Sequence, residues 1–457
     1  MKTFASDLFV GQRFAVVGLG KNGLPAALAL TAMGAEVVAW DDKEATRDAA
    51  MTKKMTVANP SEAGGRFDAV VLSPGIPHIL PKPHPIAVWA RANDIPILSD
   101  AELLFQAVRR SGSKARFAGI TGTNGKSTTT ALLEHVLTGA GVPAVAGANL
   151  GPAALSLPLL PDDGVYVLEM SSYMLERLAT VRFDAAAMLN LSVDHLDRHG
   201  DMDGYAVAKR AVFDRQLAAD FAVIGIDDPR SRDMAGWLRT RLARVATISG
   251  IAPADVWAED GMLRDSGGPI LPMAECPTLP GSHNAQNAAA VTAMARFLGL
   301  GDDAIRQGLR TYPGLPHRQQ MVGRVGGVSY INDSKATNAD AAQRALVCYD
   351  RLIWIAGGMA KEDGIDPLVP LFPRIAHAML IGRDTPTLAA TLRAHGVPYT
   401  EAGTLEAAVP LAAAAARAEN APVVLLSPAC ASWDQFTGYD QRGDRFAELV
   451  RAMEGKR

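Results

Sequence analysis

The sequence predicts an α/β protein of three domains: a Rossmann-like amino-terminal domain, a central P-loop ATPase-like domain and a Rossmann-like carboxyl-terminal domain. Three observations point there. Val-rich apolar runs of four to six residues alternate with longer Ala/Leu segments at helical spacing, the pattern of parallel strands buried on both faces and joined by helices. Two glycine-rich turns each follow such a run and open a helix. Finally, 457 residues exceed what one hydrophobic core ordinarily supports.

In chain order, the first domain (1–99) has candidate strands at 13–17, 36–40 and 69–72, with a helix at 23–33 between the first two. The second (100–314) has strands at 115–120, 166–169, 186–189 and 222–226, and the third (315–457) at 329–332, 352–356, 378–381 and 423–426. Each series is expected to form its own sheet. The Ala-rich stretch 412–416 reads as helix rather than low complexity. The boundaries fall near Ser99 and Gly314, the latter within Tyr312-Pro-Gly-Leu-Pro316, whose two prolines and glycine suit a linker that reorients one domain against another.

Composition narrows the class. Hydrophobic residues make up 48% and charged residues 20%, a globular balance. Lys plus Arg number 45 against 48 Asp plus Glu, a net charge of -3, so no basic field for nucleic acid is present. Cys276, Cys348 and Cys430 are odd in number and far apart, and read as reduced thiols rather than a disulfide framework or a zinc site. Residues 1–13 lack the apolar core of a secretion signal, and no apolar run has the length of a membrane span. A cytoplasmic protein with neither nucleic acid nor membrane as partner is expected.

The first glycine turn, Gly18-Leu-Gly-Lys-Asn-Gly23, has the spacing G-x-G-x-x-G and is followed by Asp41 and Asp42 after the next strand. Its glycines let backbone approach a pyrophosphate at the helix amino terminus, and an acidic residue can accept from a ribose or base. The pattern alone fits a dinucleotide, another nucleotide or a plain tight turn. The second turn, Ile120-Thr-Gly-Thr-Asn-Gly-Lys-Ser-Thr128, is more specific. It departs from the standard P-loop in carrying Ile120 five residues before Gly125, yet keeps Gly122 and the Gly-Lys-Ser core. Amides of Gly122, Thr123, Asn124, Gly125 and Thr128 would cradle ATP phosphates, Lys126 would add charge at the transferred group, and the Ser127 hydroxyl could ligate magnesium. Glu169, at the end of an apolar strand, is the first candidate for a carboxylate ligand, and Asp194, His195 and Asp197 follow another strand at the same kind of edge.

With these residues in view, the chain resembles the Mur ligases over essentially its whole length, and most closely their D-glutamate-adding branch. Seven ordered stretches carry the resemblance: 122–128, Glu169 with Ser171-Ser172, 194–198, 281–287, 315–318, 332–338 and 427–432. It implies a ligase that uses ATP and magnesium to phosphorylate the carboxylate of UDP-N-acetylmuramoyl-L-alanine and then couples D-glutamate through an acyl phosphate, in peptidoglycan synthesis. It further implies catalytic or metal roles for Lys126, Glu169, Ser127, His195 and a carbamylated Lys209, whose unmodified ammonium would repel magnesium. Asn287 is placed at adenine, Asp333 at the ATP ribose, Arg318 and His317 at the phosphates and domain junction. Lys335, Thr337, Lys361, Ser432 and Tyr439 are implied for the glutamate. The first glycine turn, with Gly18, Lys21, Asn22, Asp41, Asp42, Ser73 and Gly75, would bind the uridine diphosphate, and Asn149 and His195 would face the muramoyl side. A monomer is expected.

One departure stands out: Gly438-Tyr439 replaces the family's usual Asn-Phe, at a place the resemblance assigns to contacts with the glutamate side chain and so to its stereochemical choice. Two other functions remain open at this point: a related amino-acid ligase of the muramyl or folylpolyglutamate type, and a nicotinamide-dependent oxidoreductase built on Gly18 to Gly23. The first would differ in its carboxyl-terminal pocket, where no Asp-Asn-Pro-Arg motif is found. The second leaves the phosphate loop without a role.

Overall fold

A computed structural model of the chain describes residues 2–361 and 364–454. Its strands fall into three sheets, one for each series in the sequence. The first has the order β3-β2-β1-β4-β5, all parallel, built from β1 (Arg13–Val17), β2 (Glu36–Trp40), β3 (Thr56–Val57), β4 (Ala69–Leu72) and β5 (Ile97–Leu98). Here β1 and β4 lie side by side, and the strand order reverses between them. In parallel sheets, ligands bind at the carboxyl end of such a reversal. The turn at Gly18 and the loop at Ser73 therefore meet.

The second sheet has nine strands: β6 (Arg116–Thr121), β7 (Ala144–Ala148), β8 (Val165–Glu169), β9 (Ala185–Met188), β10 (Phe221–Gly225), β11 (Val245–Ser249), β12 (Val256–Glu259), β13 (Met262–Asp265) and β14 (Gly268–Pro272). Their order is β14-β13-β12-β11-β10-β9-β6-β8-β7, parallel except for the antiparallel meander β12-β13-β14. With β6 flanked by β9 and β8, the phosphate loop after β6 has Glu169 on one side and the segment after β9 on the other. The third sheet runs β15-β16-β20-β17-β18-β19, from β15 (Gln320–Val325), β16 (Val328–Asn332), β17 (Leu352–Gly357), β18 (Ile375–Ile381), β19 (Tyr399–Gly403) and β20 (Val423–Leu426), with β15 antiparallel at its edge.

The strands β1, β2, β4 and β20 coincide with the expected ones, and the other expected strands shift by one residue at one or both ends, or by three at the start of β18. The stretch 412–416 lies in the helix Leu405–Ala418. Strands missed from sequence are of recognisable kinds. Two-residue edge strands β3 and β5 are too short to show alternation, and Ala144-Val-Ala-Gly-Ala148 lacks the β-branched residues that mark strands. Core residues follow from burial on both faces: Phe14, Val16 and Val71 pack on one side of the first sheet, Ala15, Val70 and Leu72 on the other.

The chain divides into two compact units, 1–276 with 284–312, and 277–283 with 313–457. The first holds the first two sheets and the second holds the third. Gly314, in the linker segment, has φ +80°, a conformation that glycine adopts without strain. None of the three cysteines is in a disulfide, and no helix among the described residues is long and apolar enough to cross a membrane.

Candidate active site

The phosphate loop takes its shape from two glycines. Gly122 has φ +146° and Gly125 φ +83°, both in the region that side chains avoid, and a Cβ on Gly125 would collide with Asn287 Oδ1. From Gly125 the helix Lys126–Gly139 departs, so its first amides point into the turn. Lys126 folds back over the loop, its Nζ donating to the carbonyls of Gly122 (2.9 Å) and Thr123 (2.8 Å). The loop is also held from the segment after β9, where Asn190 Oδ1 accepts from the Asn124 amide (2.9 Å) and the Asn190 carbonyl accepts from the Thr123 amide (2.9 Å).

Around this turn the structure gathers several residues picked from sequence. Ser127 Oγ donates to Glu169 Oε2 (2.8 Å), and Asn149 Nδ2 donates to Glu169 Oε1 (2.6 Å). Lys209, buried on the helix Met202–Arg210, donates from Nζ to the same Gly122 carbonyl that Lys126 uses (2.7 Å). Its ammonium lies 4.7 Å from the centre of the Tyr205 ring. Burial, reinforced by the Lys126 charge, holds the Lys209 pKa well below the ordinary lysine value. Such an amine is nucleophilic enough to add carbon dioxide. Ser127 and Glu169 offer hard oxygen donors of the kind magnesium takes, and a carbamate on Lys209 would add another.

His195 is placed differently. Its φ of +53° caps the short helix Leu196–His199, and its Nε2 lies 3.4 Å from Asp194 Oδ2, half exposed. The ring faces Tyr173 at 5.1 Å and Tyr205 at 6.3 Å, and burial lowers its pKa despite the Asp194 carboxylate. It makes no direct bond to Glu169 or Lys209 among the described contacts.

Asn287 is 2% exposed on the helix Ser282–Phe297 and carries a buried acceptor, Oδ1, with no partner, while its Nδ2 donates to Asn284 Oδ1 (3.0 Å). A buried amide oxygen without a donor is costly unless a ligand supplies one, and the exocyclic amino group of adenine is such a donor.

At the first sheet's switch point, Gly18 (φ +86°) turns the chain and Ser73 Oγ donates to its carbonyl (2.7 Å). Asp41 accepts from the amides of Leu19 (2.7 Å) and Lys43 (2.9 Å), so it braces the turn as well as lining it. Asp42 accepts from Trp40 Nε1 (3.3 Å) and pairs with His84 Nε2 (3.0 Å). Lys21 and Gly75 are exposed, and Asn22 precedes the helix Gly23–Ala32 without a side-chain capping bond.

The third sheet brings its own candidates to one edge. Asp333, after β16, is buried and accepts from Ser427 Oγ (2.7 Å) and the Gln319 amide (3.2 Å), and burial pushes its pKa up to about 7. His317 (φ +61°) contacts Asn332 Nδ2 through Nδ1 (3.1 Å), and its carbonyl accepts from the Lys335 amide (3.0 Å). The Lys335 ammonium sits 3.7 Å from the centre of the Tyr439 ring. The Thr337 amide donates to the Lys335 carbonyl (2.9 Å), Ser432 is 3% exposed in the loop after β20, and Lys361 is exposed. Arg318 electrostatically favours the charged form of Asp333.

Two buried arginines escaped the sequence reading. Arg442 donates to Ser334 Oγ (2.9 Å) and to the carbonyls of Ser334 (2.9 Å), Cys430 (3.1 Å) and Gly357 (3.4 Å), tying together the loops after β16 and β20 and the end of β17. Arg177 does the same for carbonyls near Ser73. No local motif marks either, because their acceptors, mostly main-chain carbonyls, lie outside the local sequence.

Comparison with known proteins agrees with this geometry. Residues 120–295 match the Mur ligase middle domain, and residues 317–430 match the Mur ligase, glutamate ligase domain. The UDP-N-acetylmuramoylalanine--D-glutamate ligase of Paramagnetospirillum magneticum is 51% identical over 452 residues, 98% of each chain. The chain belongs to the Mur ligase family. The correspondingly named ligase of Rhodospirillum rubrum is 46% identical, covering 97% of this chain and 95% of its own. Among solved structures, the UDP-N-acetylmuramate-alanine ligase of Thermotoga maritima shares the fold with a TM-score of 0.62 at 17% identity, covering 97% of this Mur ligase and all of that chain. Family membership across the second and third sheets leaves no place for a nicotinamide oxidoreductase.

Proposed function

We propose that this Mur ligase joins D-glutamate to UDP-N-acetylmuramoyl-L-alanine at the expense of ATP, in the building of peptidoglycan. The full-length likeness to ligases of that name supports the choice of substrates. One structural observation carries the chemistry: the Gly122 carbonyl accepts from both Lys126 and Lys209 beside the Ser127–Glu169 pair, which gathers two lysine nitrogens, amides and hard oxygen ligands around one turn.

A carboxylate is a poor electrophile. An oxygen of the alanyl carboxylate attacks the γ-phosphorus of ATP, the bond to the β,γ-bridging oxygen breaks, and ADP leaves. Lys126 and the amides after Gly125 stabilise the charge spread over the transferred group. Magnesium held by Ser127 and Glu169, with carbamylated Lys209 and His195 toward a second ion, would neutralise phosphate charge. The glutamate amine then attacks the acyl carbon, phosphate leaves with the bonding pair, and the nitrogen gives up its proton. Asn287 selects adenine, and Asp333, Arg318 and His317 hold the nucleotide. Lys335, Thr337, Lys361, Ser432 and Tyr439 receive the glutamate. Gly18, Lys21, Asn22, Asp41, Asp42, Ser73 and Gly75 hold the uridine diphosphate, and Asn149 faces the muramoyl side. The enzyme works as a cytoplasmic monomer, with domains at 1–99, 100–314 and 315–457.

The test is phosphate release by purified protein with ATP, magnesium and UDP-N-acetylmuramoyl-L-alanine, adding one amino acid at a time. Turnover is expected with D-glutamate and is expected to vanish in Lys126→Met. Preference for another amino acid, or an active Lys126→Met, would refute the assignment.

A further inference from the structure

Arg177 follows the short helix Ser172–Leu175, beyond the end of β8, and is 2% exposed. Its guanidinium reaches to the first sheet. One terminal nitrogen donates to the carbonyls of Leu72 (2.7 Å) and Ser73 (3.0 Å), and the other donates to the carbonyl of Ile76 (2.6 Å) and lies 3.4 Å from His78 Nδ1. Three carbonyls of one loop thus converge on a single planar cation. The same loop is tied to the glycine turn, since Ser73 donates from its amide to the Val17 carbonyl (2.9 Å) and from Oγ to the Gly18 carbonyl (2.7 Å). From the other side, Arg198 donates to the Gly75 carbonyl (3.2 Å).

We infer that Arg177 is a positioning residue for the uridine-diphosphate site: through the Leu72, Ser73 and Ile76 carbonyls it fixes the loop that, with the Gly18 turn, receives the nucleotide of the acceptor substrate. The inference rests on assigning that turn to the uridine diphosphate. The planar fork explains why arginine is used. It spans carbonyls in fixed directions, whereas a lysine ammonium offers one point of charge on a mobile stem. The guanidinium stays charged at neutral pH, although burial lowers its pKa to about 10. A purely structural staple between the two sheets predicts something else, a general loss that spares no ligand.

The experiment compares wild type with Arg177→Met and Arg177→Lys in equilibrium titrations with UDP and, separately, with a non-hydrolysable ATP analogue, together with steady-state KM and kcat. Loss of several charged hydrogen bonds to the loop should weaken UDP binding, and raise KM for the UDP-linked substrate, by about tenfold or more in Arg177→Met and by less in Arg177→Lys. Affinity for the ATP analogue and kcat should change by less than about twofold. An Arg177→Met protein that binds UDP as wild type does, or that loses UDP and the ATP analogue in equal measure, overturns the inference. If that variant does not fold, Arg177→Lys is judged by the same selectivity. Wild-type protein indifferent to UDP would overturn the assignment of the turn as well, so the two failures are distinct.

Discussion

Ser127 Oγ and Glu169 Oε2 stand 2.8 Å apart, so the hydroxyl that opens the helix after β6 is bonded to the carboxylate that ends β8. Adjacent parallel strands create this pairing, because their carboxyl ends lie at one edge. Asn149 occupies the second carboxylate oxygen and fixes its orientation. Glu169→Gln keeps the shape and removes the charge. It should raise the magnesium concentration for half-maximal turnover by about tenfold or more, since a charged oxygen ligand becomes a neutral one. Ser127→Ala should do so less, and the double variant should fall short of the sum, as expected if the two act on one ion. A magnesium titration of the three proteins checks this.

Lys209 shares the Gly122 carbonyl with Lys126 and is buried. Burial and the Lys126 charge disfavour an ammonium on Lys209, and a carbamate would relieve that conflict. Lys209→Ala should lose turnover by about a thousandfold, the scale set by removing a charge-stabilising group from phosphoryl transfer, and added bicarbonate should not restore it. Carbon-13 bicarbonate should label wild type and leave the variant unlabelled in the NMR spectrum. An active Lys209→Ala protein would sink the carbamate reading.

Asp333 supplies a pH test with a definite sign. Its pKa is raised to about 7 in the folded protein, chiefly by burial, against an ordinary value near 4. Between those values the folded state holds a proton that the unfolded state has lost, so folding stability contributed at this site falls as pH rises from about 4 to about 7 and is level above. Asp333→Asn should flatten that part of the profile in thermal unfolding. If Asp333 also accepts from the ATP ribose, KM for ATP should fall as pH rises through 7 in wild type and stay level in Asp333→Asn.

How much of this was legible in the sequence depended on where the determining contacts lie. The strands β6, β8 and β9 show as apolar runs because both faces are buried, and the phosphate loop shows because Gly122 and Gly125 need backbone that other residues resist. The meander β12-β13-β14 is short and half exposed, so it leaves no such trace. Arg177 and Arg442 are invisible for a different reason: each is defined by carbonyls contributed from loops that only tertiary structure assembles. Asp41 is an intermediate case, its position correctly singled out, its bracing of the Leu19 and Lys43 amides visible only in three dimensions.

Tyr439 carries the last test. It begins the helix Tyr439–Glu454, its carbonyl accepts from Ser334 Oγ (2.7 Å), and its ring receives the Lys335 ammonium at 3.7 Å. A cation over an aromatic face gains about 0.5–2 kcal/mol, more as water is excluded, enough to hold a flexible lysine in one direction. Tyr439→Leu removes that face while keeping bulk, so KM for D-glutamate should rise by about threefold to thirtyfold, with KM for ATP unchanged. Tyr439→Phe keeps the ring and should behave nearly as wild type if the face alone matters. A comparable loss in Tyr439→Phe would instead assign the work to the hydroxyl, the atom by which this chain departs from the family's usual phenylalanine. Measuring D- and L-glutamate side by side in both variants separates the two, because a hydroxyl that contacts the substrate discriminates between enantiomers, whereas a ring that only steadies Lys335 weakens both alike.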